Sequence, residues 1–140
     1  MKKLEKGFTK KIIESLHDYL TTPHIKTYGE GYYFYADVPS EVLLKVATLL
    51  PKENLEIRQN NSPRVADFIE VAKMEPRALF YLYVISEIRE DERLSIEAVA
   101  IPYEREDVIK FILQKALAMP DYDRFLSYEV YKGRRYMWWD

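Results

Sequence analysis

Prolines divide this chain into short segments. Its 140 residues include seven prolines and only four glycines, so proline is the main local signal for where a helix or strand ends. Proline removes a backbone donor and pushes the residue before it out of the helical region. Between the prolines, apolar residues recur with the period of a helix in some segments and with that of a strand in others. The prolines are Pro23, Pro39, Pro51, Pro63, Pro76, Pro102 and Pro120.

Four segments show helical spacing. In the first, Phe8, Ile12 and Leu16 recur every four residues, and most of the lysines lie off that stripe. The second opens with Pro39 and carries Glu41 in its first turn, where negative charge suits the helix dipole. We therefore predict helices over residues 4–20, 39–50, 62–76 and 105–119.

Segments with strand spacing fill the remaining lengths. Two of them flank Gly29 and Gly31, which tolerate the positive φ of a hairpin turn, and a last pair flanks Lys132 and Gly133. The predicted strands cover residues 24–28, 32–38, 55–58, 79–88, 94–101, 126–131 and 135–139. Because hairpins dominate, we predict a single α+β domain over residues 1–140, with one mainly antiparallel sheet and about four helices packed mostly on one face.

The two halves of the chain share an order of elements that is consistent with a weak internal αββαβ duplication. Residues 36–39 match residues 99–102 in kind, since each run ends a strand at a proline. The spacing between corresponding prolines is 53, 63 and 69 residues, whereas tandem repeats hold a constant period. Chance alternation of helices and strands is therefore the favoured explanation.

Composition excludes several classes of protein. The net charge of −2 gives no overall attraction to nucleic acid. Cysteine is absent, so there is no disulfide framework and no thiolate metal site. No window approaches the roughly 18 apolar residues of a membrane helix. We expect a cytoplasmic protein that does not enter a membrane, and abundant charge with few amides is typical of proteins from hot environments.

Motifs for catalysis are weak. The glycines form no phosphate loop, and no serine lies in a Gly-x-Ser-x-Gly elbow. His17 and His24 are too few for a histidine metal cluster, so we predict no metal site and no cofactor. One faint arrangement remains, because Asp37 ends a predicted strand and Glu56 and Arg58 lie in the next, as in some metal-dependent nucleases. An enzyme of unrecognised type stays an alternative, behind a protein without catalytic activity.

Tyrosine is the unusual feature of the composition. There are 12 tyrosines, and several recur at period two within predicted strands. We predict that the helices cover an apolar face of the sheet and that the other face is aromatic but carries hydroxyl groups. The adjacent Trp138 and Trp139 should point to opposite faces, with one indole buried beneath the helices. The residues predicted for a binding site on the tyrosine face are Tyr33, Tyr35, Tyr81, Tyr83, Tyr131, Arg135, Trp138 and Trp139.

The leading hypothesis from the sequence is a non-catalytic binding or interaction module. Its tyrosine face would bind a small molecule, a protein partner or a second copy of the chain in a homodimer. The alternative is binding of single-stranded nucleic acid, because aromatic sheet faces stack unpaired bases. The acidic net charge disfavours that alternative. Its phosphate contacts would come from Lys26, Arg58, Arg134 and Arg135.

Overall fold

A computed structural model describes residues 6–127 and 132–140 of the chain. Within these residues, six strands form one sheet and four α-helices are present. The strands are β1 (Ile25–Thr27), β2 (Tyr32–Pro39), β3 (Leu79–Ile85), β4 (Arg93–Pro102), β5 (Tyr122–Leu126) and β6 (Arg134–Trp138). The helices are α1 (Thr9–Tyr19), α2 (Ser40–Ala47), α3 (Val65–Met74) and α4 (Glu106–Lys115).

The sheet is antiparallel throughout and has the order β1-β2-β3-β4-β6-β5. Successive hairpins place β3 and β4 at its centre, while the C-terminal hairpin folds back so that β6 pairs with β4. This arrangement confirms the α+β prediction of one antiparallel sheet built from hairpins. The outer strands are β1 and β5.

The main core lies between the sheet and the helices. Phe68 of α3 makes edge-to-face ring contacts with Phe80 of β3 and with Trp139, at centroid distances of 6.2 and 6.4 Å. Ile12 and Leu16 of α1, both predicted from their four-residue spacing, are fully buried in the same core. Each such side chain contributes about 1.5–3 kcal/mol on burial, so the helices are held by packing.

The strand predicted at residues 55–58 is wrong. Residues Lys52–Glu56 form a 3₁₀ helix instead, and Arg58 makes only an isolated bridge to Arg64. The exposed edge of β4 that such a strand would pair with is occupied by a side chain. Asn54 donates to Leu94 O and accepts from Leu94 N, both at 3.0 Å, and so replaces a neighbouring strand at that residue.

The C-terminal hairpin is shifted relative to its prediction. Its first strand is Tyr122–Leu126, whereas residues 126–131 had been predicted, and residues 128–131 lie outside the described part of the chain. Its second strand, Arg134–Trp138, agrees with the prediction to within one residue. Helix α3 begins at Val65, three residues later than predicted, where Asp67 Oδ2 accepts a hydrogen bond from Arg64 N at 2.9 Å.

The order of elements repeats only in part. Helix, strand, strand and helix occur from α1 to α2 and again from α3 to α4. The strand that would complete a first αββαβ unit is absent from residues 52–58, where the 3₁₀ helix lies. The predicted αββαβ pattern therefore does not hold in the first half of the chain.

Candidate functional site

The sheet has a second face, opposite the four helices, that is built from aromatic and small side chains. Tyr81 is 7% exposed, and Ala98 and Ala100 are fully buried. Tyr83 lies on the same side, because it pairs with Phe34 across β2 and β3. The second face is formed by Phe34, Ala36, Leu79, Tyr81, Tyr83, Ala98, Ala100, Tyr136 and Trp138.

A β-bulge decides which tyrosines reach the second face. In β2, Tyr35 pairs with Leu82, but the next regular pair is Val38 with Phe80, so the register shifts between them. Tyr35 and Val38 consequently both face the helices. Tyr35 is fully buried, its hydroxyl lies 3.0 Å from His17 Nε2, and burial together with the nearby Tyr33 raises its pKa.

The structure therefore divides the predicted binding residues into two groups. Tyr81, Tyr83 and Trp138 lie on the second face. The prediction that Tyr33 and Tyr35 share this face is wrong, because both pack on the helix side, and of the two tryptophans in the predicted site Trp139 packs there too.

Two further residues of the predicted set also lie elsewhere. Arg135 is on the helix side, where its Nη2 lies 2.7 Å from Asp123 Oδ2, and Tyr131 is outside the described residues. The expectation that one indole is buried and the other lies on the aromatic face is confirmed, with Trp139 as the buried one.

Glu97 is the functional candidate that the sequence did not reveal. A second register shift, between the pairs Tyr81–Ala98 and Leu82–Ile96, gives β4 one extra residue at Glu97. Its side chain reaches Trp138, whose indole Nε1 donates to Glu97 Oε2 at 3.0 Å. A prediction that assumes side chains alternate between the two faces along β4 does not reveal this bulge.

The carboxylate of Glu97 is half-buried, and its environment disfavours the charged form. Burial raises its pKa, an effect that the Trp138 hydrogen bond opposes and the Asp140 carboxylate reinforces. Among the residues that the structure describes, no lysine, arginine or histidine forms an ion pair with Glu97. A desolvated carboxylate without a counter-ion is unfavourable, so this position is suited to a positively charged group.

Aromatic rings of the second face also contact one another. The rings of Tyr81 and Tyr136 meet edge-to-face at 5.2 Å, and Tyr122 contacts Tyr136 at 6.1 Å. Burial raises the pKa of Tyr83, and the nearby Tyr32 and the charge of Glu97 add to that shift. The result is an aromatic surface that carries the Glu97 carboxylate beside Tyr83 and Trp138.

A second polar cluster lies at the β2 side of the second face. Tyr81 Oη donates to Asp37 Oδ1 at 2.6 Å, and His24 Nδ1 lies 3.1 Å from Asp37 Oδ2. Asp37 belongs to the β2 bulge and has a φ of +54°, which non-glycine residues seldom adopt. In the sequence, His24 figures only as one of two histidines, too few for a metal cluster, and nothing there indicates its contact with Asp37.

A separate cavity lies on the helix side, between α4 and β6. Its volume is about 460 Å³, within the range of small-molecule sites. The Arg135 side chain, paired with Asp123, lies at this cavity and not on the second face. The lining residues are Tyr103, Glu106, Ile109, Lys110, Leu113, Gln114 and Arg135.

The nuclease-like arrangement is not assembled. Glu56 pairs with Arg64 at 2.8 Å, while Arg58 donates to the backbone carbonyls of Ser62 and Lys115. Asp37 is held by Tyr81 and His24. In residues 6–127 and 132–140, no group of three or more histidine, aspartate or glutamate side chains is placed to hold a metal ion.

The fold and the second face define an α+β protein with one antiparallel sheet, helices on one side and an aromatic surface on the other. Comparison with family models, with curated proteins and with solved structures gave no match. Of the helices in the described residues, none combines the length and apolar character needed to cross a membrane.

Proposed function

We propose that this protein is a non-catalytic binding module that takes a small organic cation on the second face of its sheet. The observation that carries the proposal is Glu97, a half-buried carboxylate without a cationic partner among the described residues. Within residues 6–127 and 132–140, the Glu97 side chain accepts a hydrogen bond from Trp138 at Oε2 and none at Oε1, so the proposal assigns Oε1 to the ligand.

The aromatic rings supply the rest of the attraction. A cation over the face of a tyrosine or tryptophan gains about 0.5–1 kcal/mol at an exposed site and about 2 kcal/mol when it is desolvated. Tyr83 and Trp138 both lie beside Glu97. A ligand nitrogen at Glu97 would gain the ion pair and the ring contacts together.

Charge distinguishes this function from nucleic-acid binding. Phosphate contacts need lysine or arginine, whereas Glu97 and Asp37 place carboxylates on the second face. Arg58 and Arg135, two of the four cations expected to contact phosphate, are held by partners away from that face. At Glu97 itself, a cationic ligand therefore fits better than an anionic one.

The test uses n-butylammonium as the probe and n-butanol as its uncharged analogue. The two indole N–H groups of the chain serve as NMR reporters, because Trp138 bonds to Glu97 while Trp139 donates to Ala118 O at 2.9 Å in the core. Titration with n-butylammonium should shift the Trp138 resonance and leave that of Trp139 in place. Butanol should shift neither.

Matched variants separate the site from the general charge of the protein. Glu97→Gln keeps the shape and an oxygen for the Trp138 indole, and it should weaken n-butylammonium binding at least tenfold. Glu70→Gln removes an equal charge from the exposed Glu70–Lys73 pair of α3 and should leave binding unchanged. Equal binding by wild type and Glu97→Gln, or no shift of Trp138 at millimolar probe, rejects the proposal.

A further inference from the structure

Among the residues that the structure describes, three arginines share one pattern of hydrogen bonds to carboxylates. Each uses Nε and Nη2 as a fork on one carboxylate, and each donates from Nη1 to a second carboxylate. Arg105 donates from Nε and Nη2 to Asp107 at 3.0 and 3.1 Å, and from Nη1 to Glu75 at 2.9 Å. Arg64 and Arg77 bond in the same way. One guanidinium in this protein thus serves two carboxylates.

Arg135 has the same fork but, within residues 6–127 and 132–140, no second carboxylate. Its Nε and Nη2 donate to Asp123 at 2.9 and 2.7 Å. Its Nη1 makes no hydrogen bond to any residue of the described ranges. The side chain is 27% exposed and lines the cavity of about 460 Å³ between α4 and β6. Since a guanidinium offers five N–H donors, this side chain can hold a further carboxylate at the cavity.

Lys110 of α4 adds a second cation to the lining of this cavity. In the part of the chain that the structure describes, Lys110 forms no ion pair. Glu106, four residues earlier on the same helix, also lines the cavity and carries the opposite charge. With Asp123 counted, the positive and negative charges balance, so the attraction for an anion is local to Arg135 and Lys110. Such a lining favours a ligand with a single negative charge.

The rest of the lining is apolar and aromatic. Ile109 and Leu113 lie on one stripe of α4, and Ile109 is 5% exposed. Tyr103 is positioned by β6, because its backbone N–H donates to Gly133 O at 2.8 Å. Its ring meets that of Phe125 edge-to-face at 5.0 Å, and both rings are 53% exposed. An aromatic ligand that enters the cavity would bury more of the Tyr103 ring, which favours its binding.

We propose that this cavity binds an organic acid with one carboxylate and an aromatic body. The carboxylate accepts from Arg135 Nη1, in the way that Glu75 accepts from Arg105, and Lys110 supplies a second positive charge. The aromatic body packs against Tyr103 and the apolar stripe of α4. The cavity lies on the helix side of the sheet, so this site is independent of the cation site proposed for the second face.

The probe for this site is 4-phenylbutyrate, and 4-phenylbutanol is its uncharged analogue. Titration with 4-phenylbutyrate should shift the methyl NMR resonances of Ile109 and Leu113, with a dissociation constant in the millimolar range or tighter. The alcohol should bind at least tenfold more weakly, because it cannot form the charge-assisted hydrogen bond with Arg135. The Trp138 indole resonance, which reports on the second face, should stay in place with both compounds.

Variants at the lining locate the carboxylate. Arg135→Lys keeps the charge and can still pair with Asp123, but it lacks the second nitrogen and should weaken 4-phenylbutyrate binding about tenfold. Lys110→Gln should also weaken binding, whereas Lys73→Gln removes an equal charge from an exposed ion pair of α3 and should leave it unchanged. Glu106→Gln removes the like charge from the lining and should strengthen binding.

Each of three results would overturn this inference. The first is the absence of any shift of the Ile109 and Leu113 methyl groups at millimolar 4-phenylbutyrate. The second is equal affinity for the acid and the alcohol, which would show that the carboxylate is not recognised. The third is an unchanged affinity in both Arg135→Lys and Lys110→Gln. Glu97→Gln should bind 4-phenylbutyrate as the wild type does, so a failure of the cation site and a failure of this cavity site are distinguishable.

Discussion

The indole nitrogen of Trp138 and the carboxylate of Glu97, 3.0 Å apart, join β6 to the central strand β4 across the second face. Because burial raises the pKa of Glu97, the charged carboxylate is less favourable in the folded protein than in the unfolded chain. The charged Glu97 therefore lowers the stability of the folded protein relative to a neutral group at the same position. A loss of stability of this kind is typical of a residue that is kept for binding.

Replacing Glu97 by glutamine should stabilise the protein at pH 7. The folded pKa of Glu97 is raised above its ordinary value of 4.5, so its contribution to stability is fully present below pH 4.5 and is lost as the pH rises through the folded pKa. Glu97→Gln should consequently raise the free energy of unfolding measured by urea denaturation at pH 7, and this increase should be smaller at pH 4. The control Glu70→Gln should stay within about 0.5 kcal/mol of wild type at both pH values. A less stable Glu97→Gln at pH 7 would contradict this reasoning.

Glu75 is a buried carboxylate whose pKa shifts in the opposite direction to that of Glu97. It is 1% exposed, and it accepts from Arg77 N at 2.7 Å and from Arg105 Nη1 at 2.9 Å. Burial acts to raise its pKa, but the hydrogen bonds and charges of Arg77 and Arg105 outweigh burial, and the pKa is lowered. The stability from Glu75 is therefore present at neutral pH and is lost as the pH falls through the folded pKa.

The charge-removing variant Glu75→Gln should accordingly lower the free energy of unfolding by about 2 kcal/mol or more at pH 7, because it breaks a buried charged network. The deficit should become smaller toward pH 3 in urea denaturation series. The exposed Glu70→Gln again gives the baseline, since the Glu70 and Lys73 side chains are each more than half exposed. A deficit that stays constant from pH 7 to pH 3 would show that shape, and not charge, makes Glu75 important.

The Asn54 side chain should prove essential for the free edge of β4. Asn54 is fully buried, and its amide satisfies both the N–H and the carbonyl of Leu94. Asn54→Ala leaves those two groups without partners, at about 1–3 kcal/mol each, and exposes a strand edge. We expect a lower urea midpoint and stronger light scattering at high concentration. Asn61→Ala, at an exposed position, is the matched control, and equal stability of the two variants would refute this role.

The helices and hairpins could be predicted because each has a local signal. The four-residue spacing of Ile12 and Leu16 and the glycines at 29 and 31 depend on neighbours in sequence. The strand predicted at residues 55–58 is wrong for a physical reason. Alternation over four residues does not show whether any strand of the sheet has an unpaired edge with which the segment could pair. Asn54 already occupies that edge.

The candidate site was predicted only in part, because two bulges break the alternation on which the prediction depends. Asp37 and Glu97 each add a residue to a strand, and each addition exchanges the faces of the residues beyond it. Tyr81 and Trp138 were placed correctly, whereas Tyr35 was assigned to the wrong face. The contacts of Glu97 with Trp138 and of His24 with Asp37 join residues that are 41 and 13 positions apart, and no local pattern encodes them.

The two adjacent tryptophans make the sharpest test of the fold. Trp139 is fully buried among the helices, while Trp138 is only partly buried on the second face. Trp139→Ala should lower the free energy of unfolding by about 3–5 kcal/mol, the usual effect of truncating a buried large aromatic residue. Trp138→Ala should have a clearly smaller effect in the same urea titration, because its indole lies at the surface of the sheet.

Deleting Met137 to Asp140 should exceed either single substitution. The deletion removes the buried Met137 and Trp139 together, and it withdraws the end of β6 from between β4 and β5. Chain termini usually fray unless they are tied down, and here the backbone of Trp139 donates to Glu97 O at 2.9 Å. We expect loss of cooperative thermal unfolding, and any self-association seen by light scattering should weaken with it. A truncated protein that keeps the wild-type melting temperature would mean that β6 is not docked, and the second face would then lose both Trp138 and its hydrogen bond to Glu97.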